Sequence, residues 1–162
     1  MNYSIEHSIL KHAPDYWTYT TTPKTEYVLH PHGNEYSTIE REVYSALTDN
    51  RNIKIIKRIQ NIHDLGQLLI REQFLITKNV GVDYYRVRRF ITIDSEYYEE
   101  ALEHNLDHRR CGLTSLCFQR HVTCYCNQIL FAVQVVTDKP DSHEITPENS
   151  LEYFIDYAIT FD

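Results

Sequence analysis

The sequence predicts an α+β fold, a largely antiparallel β-sheet with flanking helices. Three observations lead there. The 162 residues include 42% hydrophobic side chains and only four glycines and five prolines, which suits one compact domain without a linker. The periodicities run helix, strand, helix, then mostly strands with one more helix between them, unlike the regular alternation that builds a parallel sheet. Gln128–Thr137 (QILFAVQVVT) is almost continuously apolar and β-branched, the mark of a central strand buried on both faces.

In chain order, residues 1–34 are weakly patterned, with Pro14, Pro23, Pro31 and Gly33 as punctuation, and residues 1–15 have no place in the scheme. Tyr16–Leu29 (YWTYTTTPKTEYVL) is aromatic and threonine-rich, hence extended. From Asn34 to Thr48, Ile39, Val43 and Leu47 form one stripe of a helix, with Glu40, Arg41 and Glu42 off it. Asn34 or Ser37 can cap that helix and Asp49–Asn50 end it. Ile53–Ile59 (IKIIKRI) reads as a strand. Asn61 or Asp64 caps the next helix, where the spacing of Leu65, Leu68, Leu69, Glu72 and Ile76 buries the leucine face. A loop over Lys78–Asp83 leads to a strand at Tyr84–Ile93, and Ser95 caps a short helix, Ser95–His104, with Glu96 at the positive end of its dipole. After the Gln128–Thr137 strand, a polar loop with Pro140 and Pro147 precedes a terminal strand, Leu151–Phe161.

Composition narrows the function classes. A net charge of −7 argues against a generic nucleic-acid binder, which is normally basic. The N-terminal MNYSIEHSILKHAPDYW is too polar for a secretory signal, and no apolar run approaches the ~18 residues of a membrane helix. Four cysteines without a secretory signal are expected as reduced thiols in an intracellular protein, nuclear or cytoplasmic.

Several pieces resemble one family in the right order. Tyr36–Gln73 contains a helix, a strand ending in "IQN" and a helix beginning near a leucine. His104–Gly112 (HNLDHRRCG) is similar to an "NFD…R…CG" turn, and Phe118–Cys126 to the piece after a "YFA" step. Ile129–Val136 (ILFAVQVV) is similar to an "MFLAxVLV" strand, and Asp141–Ser142 with Glu152–Ile155 to a closing block. Over residues 16–157 the chain thus resembles the catalytic domain of the poly(ADP-ribose) polymerase (PARP) family, most nearly its CCCH-zinc-finger branch. The resemblance implies a PARP-like (ADP-ribosyltransferase) fold with a split, mostly antiparallel sheet. That family places one more strand after the block containing Glu152, so a chain ending at Asp162 is expected to be either a piece of a longer protein or a sheet that ends early.

The family's NAD chemistry uses a His-Gly step on a strand, a Tyr that stacks on the nicotinamide, and a third residue on a later strand. Aligned by the resemblance, these positions hold Ile91 and Thr92, then Cys117, then Glu152. Ile91 offers a ribose hydroxyl no partner, and an unpaired buried hydroxyl costs about 1–3 kcal/mol. Thr92 adds a branched side chain where backbone must approach the ligand. Cys117 removes a stacked ring worth about 0.5–1.5 kcal/mol beyond its area. With every ~1.4 kcal/mol worth tenfold in affinity, NAD binding is expected to be lost, and Glu152 alone is no active site.

Other readings compete. Cys117, His121, Cys124 and Cys126 are possible zinc ligands by type, but C-x3-H-x2-C-x-C is irregular, and no metal is expected. Cys117 or Cys111 beside a histidine could form a nucleophile pair, but neither lies in a cysteine-protease signature, and His104, His108 and His121 read as surface or loop residues. Lys54, Lys57, Arg58, Arg86, Arg88, Arg89, Arg109, Arg110 and Arg120 could form a phosphate- or RNA-facing patch, with Arg86 and Arg88 on one strand face. The acidic side of residues 94–103 reads as a solvated helix face.

The expectation is a catalytically inactive PARP-like domain with no cofactor. It would act as a scaffold for other proteins, in a multi-subunit complex, by family analogy in RNA-linked or transcriptional silencing or antiviral restriction. Docking is expected on the aromatics of Tyr16–Tyr19 or along a sheet edge. The alternative is a divergent mono-ADP-ribosyltransferase using NAD.

Overall fold

A computed structural model describes residues 5–20 and 22–162. Seven strands form one antiparallel sheet: β1 (Lys24–Val28), β2 (Ile53–Asn61), β3 (Tyr85–Asp94), β4 (Phe118–Gln119), β5 (Gln128–Thr137), β6 (Glu144–Ile145) and β7 (Tyr153–Phe161). Their spatial order is β1-β2-β7-β5-β3-β4-β6, one continuous sheet rather than a split one. The helices are α1 (Ile5–Leu10), α2 (Asn34–Ala46), α3 (Ile62–Lys78) and α4 (Tyr98–Glu103).

β5 lies at the centre because both of its faces are apolar. Ile129, Phe131, Val133 and Val135 join a core roofed by Ala101 and Leu102 of α4 and by Leu106 and Cys111 beyond it. Leu130 and Ala132 face the other way, onto Ile39 and Val43 of α2. Val136 meets Leu65 and Leu68 of α3. The sheet is therefore sandwiched, with α2 and α3 on one side and α4 with its following loop on the other. Ten residues of β3 pair with β5 in unbroken register, from Tyr85 opposite Thr137 to Asp94 opposite Gln128.

The expected helix signals fare unequally. Asn61 caps α3 as expected, its side chain accepting from the N–H groups of His63 (3.1 Å) and Asp64 (3.2 Å). On α2, by contrast, Gly33 stands at the cap, Asn34 is already helical, and the Ser37 hydroxyl donates to the Gly33 carbonyl. Ser95 does not cap either: it opens a 3-10 turn, Ser95–Tyr97, behind Asp94, and α4 starts only at Tyr98. Ile76 is not on the inner face of α3; it is 45% exposed, beside the exposed Ile70 and Phe74, while Leu75 turns inward.

The N-terminal quarter departs most from expectation. Residues 5–10 form α1, which packs on α3 where Gly66 allows close approach: a Cβ there would lie 2.6 Å from Ile9 Cδ1. Among the described residues of the Tyr16–Leu29 stretch expected to be extended, only Lys24–Val28 form a strand; Thr21 lies outside the described residues. Tyr16 and Trp17 fold inward, Tyr16 donating to Asp156 (2.8 Å) and Trp17 meeting Phe154 edge-on with ring centroids 6.1 Å apart. Thr18 is gripped by the Gln60 amide, which accepts from its N–H and donates to its carbonyl, each at 2.8 Å. These contacts tie Tyr16 and Trp17 to the core and leave Tyr19, 63% exposed, as the outward-facing aromatic of the segment expected to dock a partner.

Gly112 closes the loop over the α4 side with a left-handed backbone, φ +66°, and a Cβ would lie 2.9 Å from the Tyr97 ring. Gly112→Ala is expected to cost about 1–2 kcal/mol in left-handed strain before any clash with the ring. At roughly 2–4 °C per kcal/mol for a chain of this size, thermal unfolding followed by circular dichroism will show the loss.

Candidate functional site

The positions that the PARP resemblance singles out fall into two places. Ile91, Thr92 and Cys117 come together, lining a cavity of about 180 Å³ with Phe90, Leu113 and Gln119. It forms because β4 is only two residues long and meets β3 at a single pair, Phe90 opposite Gln119. Ile91 is 7% exposed and belongs to the apolar core. Burial and the nearby Glu144 carboxylate raise the Cys117 thiol above its ordinary pKa, so it is held as a thiol.

Glu152 lies elsewhere. It ends a 3-10 turn, Ser150–Glu152, before β7 and lines a separate cavity of about 550 Å³ beside α3. Its Oε1 accepts from Arg71 Nε (3.0 Å) and Nη2 (2.8 Å), and its Oε2 accepts from the Glu148 backbone N–H (3.0 Å). Only 9% of the side chain is exposed. The carboxylate is thus fully engaged in tying the loop before β7 to α3.

The four residues considered for zinc do not converge. Cys124 is buried, with Sγ 3.8 Å from the Gln128 carbonyl, and burial pushes its pKa up to about 11. Cys126 and His121 are exposed, with His121 near His143, ring centroids 6.2 Å apart. Among the described residues no three His, Cys, Asp or Glu side chains gather as a metal site would require. Cys111 is 2% exposed and its pKa is raised by burial and by Asp107 and Glu100, which does not suit a nucleophile.

The basic set is not a free patch, because most of its charges are answered within the molecule. Arg58 donates to Glu35 (2.7 Å), Arg86 to Glu72, and Arg88 to Glu42 (2.5 Å) and Asp156 (2.7 Å). Arg109 binds Asp107 (2.8 Å), Lys57 lies 3.4 Å from Glu26, and Arg110 3.7 Å from Glu100. Arg89 turns to the carbonyls of Pro140 (2.5 Å) and Ser142 (3.0 Å), and Arg120 approaches the former at 3.5 Å. Arg86 and Arg88 do share a strand face, as alternation requires, but that face meets the carboxylates of α3 and α2.

His104 and His108 line a third cavity, of about 450 Å³, with Asp107 and Tyr153. Sequence patterning gave no sign of it, because its walls come from three separate loops. No described helix is long and apolar enough to cross a membrane.

The cysteines are expected to differ in reactivity. At neutral pH, iodoacetamide should alkylate exposed Cys126 first and the half-buried Cys117 slowly, leaving Cys111 and Cys124 intact until the protein unfolds. Peptide mass spectrometry across a time course reads this order directly; early labelling of Cys124 would contradict it.

No protein-family model matches this chain, and no curated protein matches it.

Proposed function

We propose that this domain is a PARP-like fold that has lost ADP-ribosyltransferase activity and serves as an intracellular scaffold, nuclear or cytoplasmic, for other proteins. The observation that carries the reading is the state of the cavity around Ile91, Thr92 and Cys117. At about 180 Å³ it is smaller than the roughly 300–1,000 Å³ of small-molecule sites. Ile91 supplies no polar group to a sugar, Cys117 supplies no ring, and Glu152 is committed to Arg71 outside that cavity.

The scaffold half of the reading is supported by the outer face of α3. Ile70 is 74% and Phe74 49% exposed, and with Leu69, Gln73 and Thr77 they line an open apolar groove. Contiguous exposed apolar surface of this kind marks interaction sites. A role in silencing or restriction complexes is the family-level form of this proposal.

Incubation with labelled NAD and candidate acceptor proteins tests the loss of activity. No transfer is expected. Glu152→Gln should instead act on stability, by about 2–3 kcal/mol, because it leaves the Arg71 guanidinium half-buried without its counter-charge. Transfer by the natural chain, abolished in a Glu152→Gln protein that remains folded, would overturn the proposal.

A further inference from the structure

The third cavity, between the end of α4 and the loop before β7, shares only Ser115 with the Ile91–Cys117 cavity and adjoins the Glu152 cavity through Thr146, Pro147 and Glu148. Its volume, about 450 Å³, is that of a small-ligand site. The charges on its wall do not cancel. Asp107 is answered by Arg109, whose Nε (3.0 Å) and Nη2 (2.8 Å) both donate to it. Glu148 stands on the same wall and on that of the Glu152 cavity, and makes no ion pair within 4 Å among the described residues. Among the Asp, Glu, Lys and Arg side chains of this wall one carboxylate is left over, beside His108 and a His104 turned to Glu100 (3.6 Å), and that carboxylate favours a cation.

The hydrogen-bonding groups say the same. Tyr153, which lines the cavity, is 1% exposed, and its ring is packed edge-on against Phe118 with centroids 4.8 Å apart. Its hydroxyl has no hydrogen-bond partner among the described residues. Asn105 Nδ2 fixes this wall by donating to the carbonyls of Tyr153 (2.9 Å) and Ser150 (3.1 Å). Burial, with Asp107 close by, raises the Tyr153 pKa, so the hydroxyl stays neutral and can accept. The unanswered groups, Glu148 and Tyr153, are a carboxylate and a hydroxyl, and Ser115 and Ser150 also line the cavity. They call for a ligand rich in donors. A guanidinium carries five N–H donors in a planar fork and no acceptor, and it is more weakly hydrated than an ammonium.

We propose that this cavity binds the guanidinium of an arginine side chain presented by a protein partner, with Glu148 as its counter-ion and the Tyr153 hydroxyl as an acceptor. The source of the arginine rests on the scaffold reading; the binding of the group does not.

The test is a titration of the full chain with N-acetyl-arginine amide, and with the neutral isostere N-acetyl-citrulline amide, followed by backbone amide NMR. The arginine probe should saturably shift residues 104–109 and 146–153, and citrulline should bind at least tenfold more weakly. Glu148→Gln should weaken the arginine probe at least tenfold. Tyr153→Phe should weaken it several-fold without lowering the melting temperature, because the hydroxyl holds nothing inside the protein. Shifts elsewhere or none, equal binding of citrulline, an unaffected Glu148→Gln protein, or a Tyr153→Phe protein that melts lower would each overturn the assignment. None of these outcomes depends on NAD, so failure here and failure of the scaffold reading are distinguishable.

Discussion

The structure depends on one buried carboxylate. Asp156 lies in the middle of β7 with no exposed surface and accepts from Tyr16 (2.8 and 2.9 Å), Arg88 (2.7 Å) and Gln134 (3.2 Å). Burying an ion costs several kcal/mol even after relaxation, so such a group persists only if its lone pairs are filled. Each donor comes from a different element: the N-terminal segment, β3 and β5. Arg88 passes the connection to Glu42 of α2 and stacks over Tyr157, 5.2 Å from its centroid. Tyr157 in turn donates to Glu35 (2.8 Å), which also accepts from Arg58, and Arg58 donates to the Tyr16 carbonyl (2.6 Å). The network closes on itself around the N-terminal segment, which explains why that segment is part of the core and not a free arm.

This inward use of cations shapes the surface as well. With Arg58, Arg71, Arg86 and Arg88 held by carboxylates, the net charge of −7 is expressed on the outside. A net negative charge of this size disfavours nucleic-acid phosphates as a general partner. The cavity proposed to take an arginine and the apolar groove of α3 both lie on this outside.

Parts of this architecture were legible in the sequence for definite reasons. β5 was, because a strand buried on both faces must be apolar throughout, and its bounds, Gln128 and Thr137, match the expectation. The start of α3 was, because Asn61 is a local capping signal that needs no tertiary information. Local signals misled at Ser95 and Asn34, where a residue able to cap already lies inside the element it was expected to open. β4 and β6, two residues each, carry no period to detect. Glu152 illustrates the limit for the site: its partner Arg71 lies 81 positions away, and only the folded chain shows that the carboxylate is a tie between a loop and α3. Ile91 and Thr92 are neighbours on β3, and Cys117 joins them across a small cavity only where the folded chain lays the start of β4 beside that strand, which no local signal in the sequence shows.

Whether the pocket has lost NAD binding is read by calorimetric titration with NAD, with a nicotinamide mimic as second ligand. No heat of binding and no change in melting temperature are expected at millimolar ligand. Saturable binding at micromolar concentration would mean that the cavity at Ile91, Thr92 and Cys117 opens to admit the dinucleotide, and would contradict that expectation.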